Sequence, residues 1–263
     1  IFLITAPQRK AELIAACGIE RLVIAPFDRE FAGLPAAVFY REVLLEHLGA
    51  AVVVVGENYA FGCNREGNPE KLQQLGRADG LEVITAPAFR INGELVSSTA
   101  VRAAIMAGDI ARAAAFLGRP CTISGRVVAG KSRGRELGFP TANLVSEVEL
   151  YPKEGVYAVW VDHGGQRYPG LVNIGHNPTF ADTGLTVEAH LLDFAGDLYG
   201  SELKITFLER FRGEQACSGV EELQALIAAD IQRARQLPAF VQIGRPAAAD
   251  GLLPLQSGSS CGN

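Results

Sequence analysis

The chain has 263 residues, of which 48% are hydrophobic and 20% charged, and its 24 Lys and Arg against 29 Asp and Glu leave a formal net charge of −5. That length holds one large domain or two ordinary ones with a globular balance of residue types. The acidic balance excludes a general nucleic-acid binder, which needs a broad basic surface. The longest apolar runs, such as AAVVVVG at 50–56, fall well short of the roughly 20 residues of a membrane-spanning helix, so neither nucleic acid nor membrane is an expected partner.

From the N-terminus, APQRKAELIAACG reads as a helix stopped by Gly18, and RLVIAPF (21–27) as a short apolar strand. AAVFYREVLLEHLGA puts Val38, Phe39, Val43, Leu44 and Leu48 on one helical face, and AAVVVVG reads as a strand buried on both sides. EVITAP adds another strand, and VSSTAVRAAIMAGDIARAAAFLG gives two short helices interrupted by Gly108. This is the alternation of a parallel sheet with covering helices. After Pro120 the pattern changes. CTISGRVVAG, GVYAVWVDHGG, QRYPGLVNIG, LTVEAHLLDF and ELKITFLERF are strand-like runs divided by Gly, Pro, Asn and Asp, as in an antiparallel barrel or sandwich. A helix over 219–237 follows, with Val220, Leu223, Ile227 and Ile231 on one stripe and Ser218 with Glu221 as a capping box. From Gly244 the chain loses periodicity and reads as a flexible tail.

Cys17, Cys63, Cys121, Cys217 and Cys261 are odd in number and contain no C-x-x-C pair. They suggest neither a disulfide framework nor a zinc site, and with no signal peptide in view a reducing cytoplasm is expected.

GRVVAGKS (125–132) satisfies the written pattern of a Walker A loop. Its context does not. Such a loop needs a helix starting at the Lys-Ser pair to hold phosphates on its N-terminal amides, whereas Gly134, Gly138 and Pro140 prevent one here. If the strand ends at Ala129, then Gly130, Gly134 and Gly138 punctuate a loop carrying Lys131, Arg133 and Arg135. Spacing alone leaves an anion-holding loop and a solvated basic hairpin equally open. GFPTAN favours the first: Pro140 precedes Thr141 and Asn143, whose oxygens stand on the same side of an extended segment. Hard oxygen donors of this kind suit Mg²⁺ carried by nucleotide phosphates. In TVEAHLLD, Val187, Ala189 and Leu191 share one face and Glu188, His190 and Leu192 the other. On that pattern alone a solvent-facing residue is the commoner reading of Glu188, and a site residue the other.

SGRVVAGKSRGRELGFPTANL, GVYAVWV, GLVNIGHNPTF, TVEAHLLDF and DLYGSELKITFLERFR, in that order, resemble the riboflavin kinase domain of the bacterial bifunctional riboflavin kinase/FMN adenylyltransferases. The resemblance implies a six-stranded antiparallel Greek-key barrel with a C-terminal helix, and ATP-dependent phosphorylation of the riboflavin 5′-hydroxyl to give FMN. It further implies that Thr141 and Asn143 bind Mg²⁺ and phosphates, that Glu188 is the base, and that the glycine-rich loop through Pro140 covers the ATP phosphates. By the same resemblance Arg210 and Phe211 are the candidate flavin-side residues, with ordinary rim residues an equal reading.

The front half is similar to part of the family's Rossmann-like adenylyltransferase module. VVVVGENYAFGCNREG matches with Asn58 and Tyr59 where Asp and Phe are common. VSSTAVR looks like a signature in which Ser97, Ser98, Thr99 and Arg102 meet nucleotide phosphates at a helix N-terminus; a plain N-cap accounts for that run equally well. The family's H-x-G-H loop has no counterpart among His47, His163, His176 and His190, so FMN without FAD is the expected product. The resulting division is a partial α/β nucleotidyltransferase domain over 1–117, an all-β kinase domain over 118–243 and a tail over 244–263. The competing reading is a flavin- or nucleotide-binding module without catalysis.

Overall fold

The computed structural model describes residues 2–130, 134, 137–146, 148–176 and 184–241. Lys131, Arg133, Arg135 and the tail from 244 lie outside them. In chain order the elements are α1 (Pro7–Ala16), α2 (Arg29–Ala32), α3 (Ala36–Val38) running on as a π-helix (Phe39–His47), β1 (Val52–Gly56), α4 (Pro69–Asp79), β2 (Glu82–Ala86), a small hairpin β3 (Arg90–Ile91) and β4 (Glu94–Leu95), then α5 (Ser98–Ala107) and α6 (Ile110–Leu117). The strands β5 (Thr122–Val128), β6 (Ala142–Val145), β7 (Gly155–His163), β8 (Gln166–His176), β9 (Leu185–Leu191) and β10 (Glu202–Arg212) follow, and α7 (Val220–Arg235) and α8 (Pro238–Val241) close the described chain.

Residues 18–96 form one compact unit. In it β1 pairs with β2 in parallel, and Ala36, Tyr40, Leu44, Val55, Phe61, Leu72 and Leu81 form the core. Three expectations change here. RLVIAPF is no strand: it pairs with no strand among the described residues and stays exposed, with Ile24 at 81% and Phe27 at 80%. β1 buries only the Val53 and Val55 face, since Val52 and Val54 are exposed. The helix after Pro35 buries Leu44 as expected and keeps Val38, Phe39 and Val43 half-buried, but it also turns Tyr40 inward and leaves Leu48 exposed. The π-helical Leu48 N–H reaches back to the Val43 carbonyl, and this wider turn shifts the buried stripe from the period of 3.6.

The second unit comprises residues 1–17 and 97 onward. This grouping departs from a boundary at 117/118: α5 and α6 pack with the barrel. The apolar face of α6, Ile110, Ala113 and Phe116, needs cover, α6 packs against β10, and the Ile105 carbonyl of α5 accepts from the Lys153 amide.

The six strands close in the order β10-β5-β6-β9-β8-β7, every neighbouring pair antiparallel. This is the barrel expected from the sequence. Tyr157, Val159, Val161, Val172, Ile174, Val187, Leu203, Ile205 and Phe207 are fully or nearly fully buried. Burial alternates along β9, as the pattern of its residues predicted. β7 instead reads as a continuous apolar run, because Val156 and Ala158 on its other face are covered by Ala234 of α7 and Phe240 of α8. α7 starts one residue later than the capping box implied. Gly219 is the N-cap, and Glu222 rather than Glu221 reaches back, accepting from the Ser218 N–H at 2.7 Å and from its Oγ at 2.6 Å.

Candidate functional site

One row of paired residues runs around the barrel. Val128 lies opposite Asn143, Asn143 opposite Glu188, Glu188 opposite Asn173, Asn173 opposite Val156, and Val156 opposite Arg212. Residues paired in this way stand on the same face. Their neighbours Leu144, Val187 and Ile174 are buried and fill the barrel, so the row occupies the outer face. α7 and the segment through Gly134, Leu137 and Phe139 stand over it, and the enclosed cavity measures about 610 Å³.

The polar end of this cavity holds Thr141, Asn143, Glu188, Asn173 and His190. Thr141 Oγ donates to Glu188 Oε2 at 3.4 Å. The His190 ring Nδ1 donates to the Pro140 carbonyl at 2.8 Å, with the ring edge-on to Phe139. Glycines bring the loop down onto these groups. A Cβ at Gly130 would overlap the Asn143 amide, and one at Gly134 would press on the Phe139 carbonyl and the Thr141 hydroxyl. The loop's far end is fastened by Phe139 N–H to the Gly134 carbonyl at 2.7 Å and by Gln224 of α7, whose side-chain amide donates to the Leu137 carbonyl at 3.1 Å.

The other end is mainly apolar with one ion pair, and Glu214, Gln215 and Ala216 complete the lining. Val156, Leu171, Leu223, Leu226 and Ile227 line it, together with Arg212 and Asp230. Arg212 donates through both Nε (2.9 Å) and a terminal nitrogen (2.7 Å) to the same Asp230 Oδ2. Asp230 is only 7% exposed, so this pair is desolvated and each charge depends on the other.

Of the residues singled out from the sequence, the cavity brings together Gly134, Thr141, Asn143 and Glu188, with Gly130 and Pro140 behind them. Gly138 turns the backbone at φ 86° just before Phe139. Arg210 and Phe211 are not in its lining. Arg210 donates to the Glu154 carbonyl at 2.6 Å, and Phe211 packs against the cluster of Val156, Ala158 and Ala234 beneath the Arg233 guanidinium. A register shift between Arg210 and Arg212 separates them: Arg210 pairs with inward Tyr157, Arg212 with outward Val156. In an unbulged strand the two would share a face; nothing in the local sequence announces the shift that sets Arg212 apart from Arg210. Ser97, Ser98, Thr99 and Arg102 also lie away from this cavity. Ser97 Oγ accepts from the Ala100 N–H at 3.1 Å as an ordinary N-cap, and Arg102 Nε donates to the Phe2 carbonyl at 2.9 Å. Asn173, His190 and Asp230 were also missed; alternation places the first two on the polar face, but nothing local says that α7 covers it.

The outer barrel face thus carries an amide-carboxylate-amide row beside Gly130 and Gly134, and residues 117–238 match the family model described as riboflavin kinase. Residues 1–100 match the one described as FAD synthetase. The bifunctional riboflavin kinase/FMN adenylyltransferase of Escherichia coli K12 is 39% identical over 93% of this chain and 77% of its own length. The protein of that name from Pseudomonas fluorescens is 41% identical over 89% and 76%. Among solved structures, one named a macrolide-efflux protein from Streptococcus pneumoniae is 33% identical and superposes with a TM-score of 0.82 over 89% of this chain and 76% of that one. No helix among the described residues is long and apolar enough to cross a membrane. The chain belongs to the bifunctional riboflavin kinase/FMN adenylyltransferase family.

Proposed function

We propose that the cavity passes the γ-phosphoryl group of ATP to the 5′-hydroxyl of riboflavin, giving FMN and ADP. The observation that carries this reading is the meeting of Glu188 with Thr141 at 3.4 Å inside one cavity that is polar at one end and apolar at the other. Glu188 takes the proton of the ribityl hydroxyl as its oxygen bonds to the γ-phosphorus. The bond from that phosphorus to the ADP oxygen breaks, and ADP leaves with the electron pair. Phosphoryl transfer needs little beyond in-line positioning and neutralised charge, so this short roster of groups suffices. The apolar end, between Leu171 on the barrel and Leu223 and Ile227 on α7, takes the flat flavin ring. It buries that ring from water.

Thr141 and Asn143 offer hard oxygens next to a carboxylate, and the described residues contain no group of three or more His, Cys, Asp or Glu placed to hold a metal ion. That donor set fits Mg²⁺, which keeps several waters and shares substrate phosphates rather than sitting in an all-protein cage. Thr141 and Asn143 would hold it, and its chemistry there is charge neutralisation on the phosphates. Cys17, Cys63, Cys121 and Cys217 are unpaired, in keeping with a reducing cytoplasm.

Incubation with riboflavin, ATP and Mg²⁺ followed by chromatography tests the reading. FMN is expected; no product points to a binding module and overturns it, and FAD alongside FMN adds adenylyl transfer to the chain's activities.

A further inference from the structure

We propose that His190 is a positioning residue that sets the Thr141 oxygen through the Pro140 carbonyl, an inference that rests on reading Thr141 as a metal-nucleotide ligand. Strand β9 carries Glu188 and His190 two positions apart on the same outward face, and both line the cavity. Glu188 lies opposite Asn143 and Ala189 opposite Ala142, so His190 stands level with the residue just before β6, which is Thr141. At that point the β6 strand has ended, and the main chain must be held by other means.

The ring supplies them. A carbonyl only accepts, so the 2.8 Å contact assigns the proton to Nδ1 and leaves Nε2 as the acceptor in the neutral ring. Proline fixes its own φ but not ψ. Holding the Pro140 oxygen therefore fixes the remaining rotation, the one that aims the Thr141 amide and side chain. Phe139 restrains the ring from its edge with centroids 6.1 Å apart. On the other side of Thr141, Gly134 leaves no room for a Cβ above the hydroxyl. Thr141 thus sits between a loop that caps it and a ring that orients its peptide, while Glu188 receives its hydroxyl. One strand thereby carries both the base and the clamp for its opposite partner.

His190→Phe keeps the aromatic edge for Phe139 and removes the donor, whereas His190→Asn returns an N–H close to the place of Nδ1. Calorimetric titration with Mn²⁺·ADP, alongside riboflavin titration by fluorescence, separates the metal-nucleotide end from the flavin end. His190→Phe is expected to weaken Mn²⁺·ADP roughly 5- to 10-fold, the worth of one hydrogen bond, and to leave riboflavin binding within about twofold. His190→Asn is expected to recover most of that loss. Wild-type Mn²⁺·ADP affinity in His190→Phe, an equal loss of riboflavin binding, or no recovery in a folded His190→Asn overturns the proposal. If the Phe variant does not fold, the ring ¹⁵N–¹H spectrum of the unaltered protein decides: Nδ1–H is expected, and a neutral ring protonated on Nε2 overturns it. A wild-type protein that makes FMN while His190→Phe is unaffected sinks this inference alone; one that makes no FMN sinks the kinase reading and this inference with it.

Discussion

Replacing Glu188 by Gln keeps the side-chain volume and an acceptor oxygen but removes the negative charge that would receive the ribityl proton. A positioned general base contributes ~10²- to 10⁴-fold, or about 3–5 kcal/mol of barrier at ~1.4 kcal/mol per decade. The structural cost is small by comparison. The bond from Thr141 Oγ is long at 3.4 Å, beyond the ordinary range for O–H···O, and Glu188 sits on the outer face rather than in the barrel's interior. The expected change in stability is therefore within about 0.5 kcal/mol. Initial rates of FMN formation at saturating ATP, riboflavin binding by fluorescence and a thermal melt separate these effects. Turnover should fall by at least ~10²-fold with flavin affinity and melting temperature nearly unchanged. Turnover within about threefold of the unaltered protein would refute the general-base role, given the size of effect such a base supplies.

Asp230→Ala leaves the Arg212 guanidinium desolvated without its carboxylate, and should cost about 3–5 kcal/mol in urea denaturation, while Arg212→Met with Asp230→Leu should recover most of that loss. Gly130→Ala places a methyl group on the Asn143 amide; misplacing a site group by ~1 Å can cost on the order of 10²-fold, so steady-state kinetics should show turnover falling far more than stability. Cys121 is buried, which pushes its thiol up to about 11 against the opposing pull of Arg119. At pH 8 it should resist a thiol reagent that labels exposed Cys17, and react once the protein is unfolded. Because the fold favours the neutral thiol, its contribution to stability is constant below the pKa of an ordinary thiol and is lost as pH rises through about 11. An alkaline unfolding series against Cys121→Ala, converging above that pH, checks the sign.

Much of the kinase half was legible because strand periodicity is local. Val187, Ala189 and Leu191 announced the inward face of β9, and burial follows them residue by residue. The front half was less legible for the converse reason: RLVIAPF has a strand's composition, but a strand exists only with a partner, and among the described residues it has none. Tyr40 and Leu48 show a subtler failure, the first buried and the second exposed against expectation, since a π-turn changes the period by which a helical face is counted.

The candidate site divides along the same line. From its residues and their order alone came the loop of glycines ending in Pro140, the oxygen donors Thr141 and Asn143, and a carboxylate at Glu188 facing away from the barrel core. Tertiary structure decided that this outward face is not a solvent face, because α7 lies across it and encloses the cavity with Leu223, Ile227 and Asp230. It also decided that Arg212 rather than Arg210 enters that space, through a strand irregularity between them. The physical reason is one of range: alternation and backbone stiffness act between neighbours in the chain. Which outward face loses its water depends on a helix that starts more than thirty residues beyond Glu188 and on the closure of six strands into a ring.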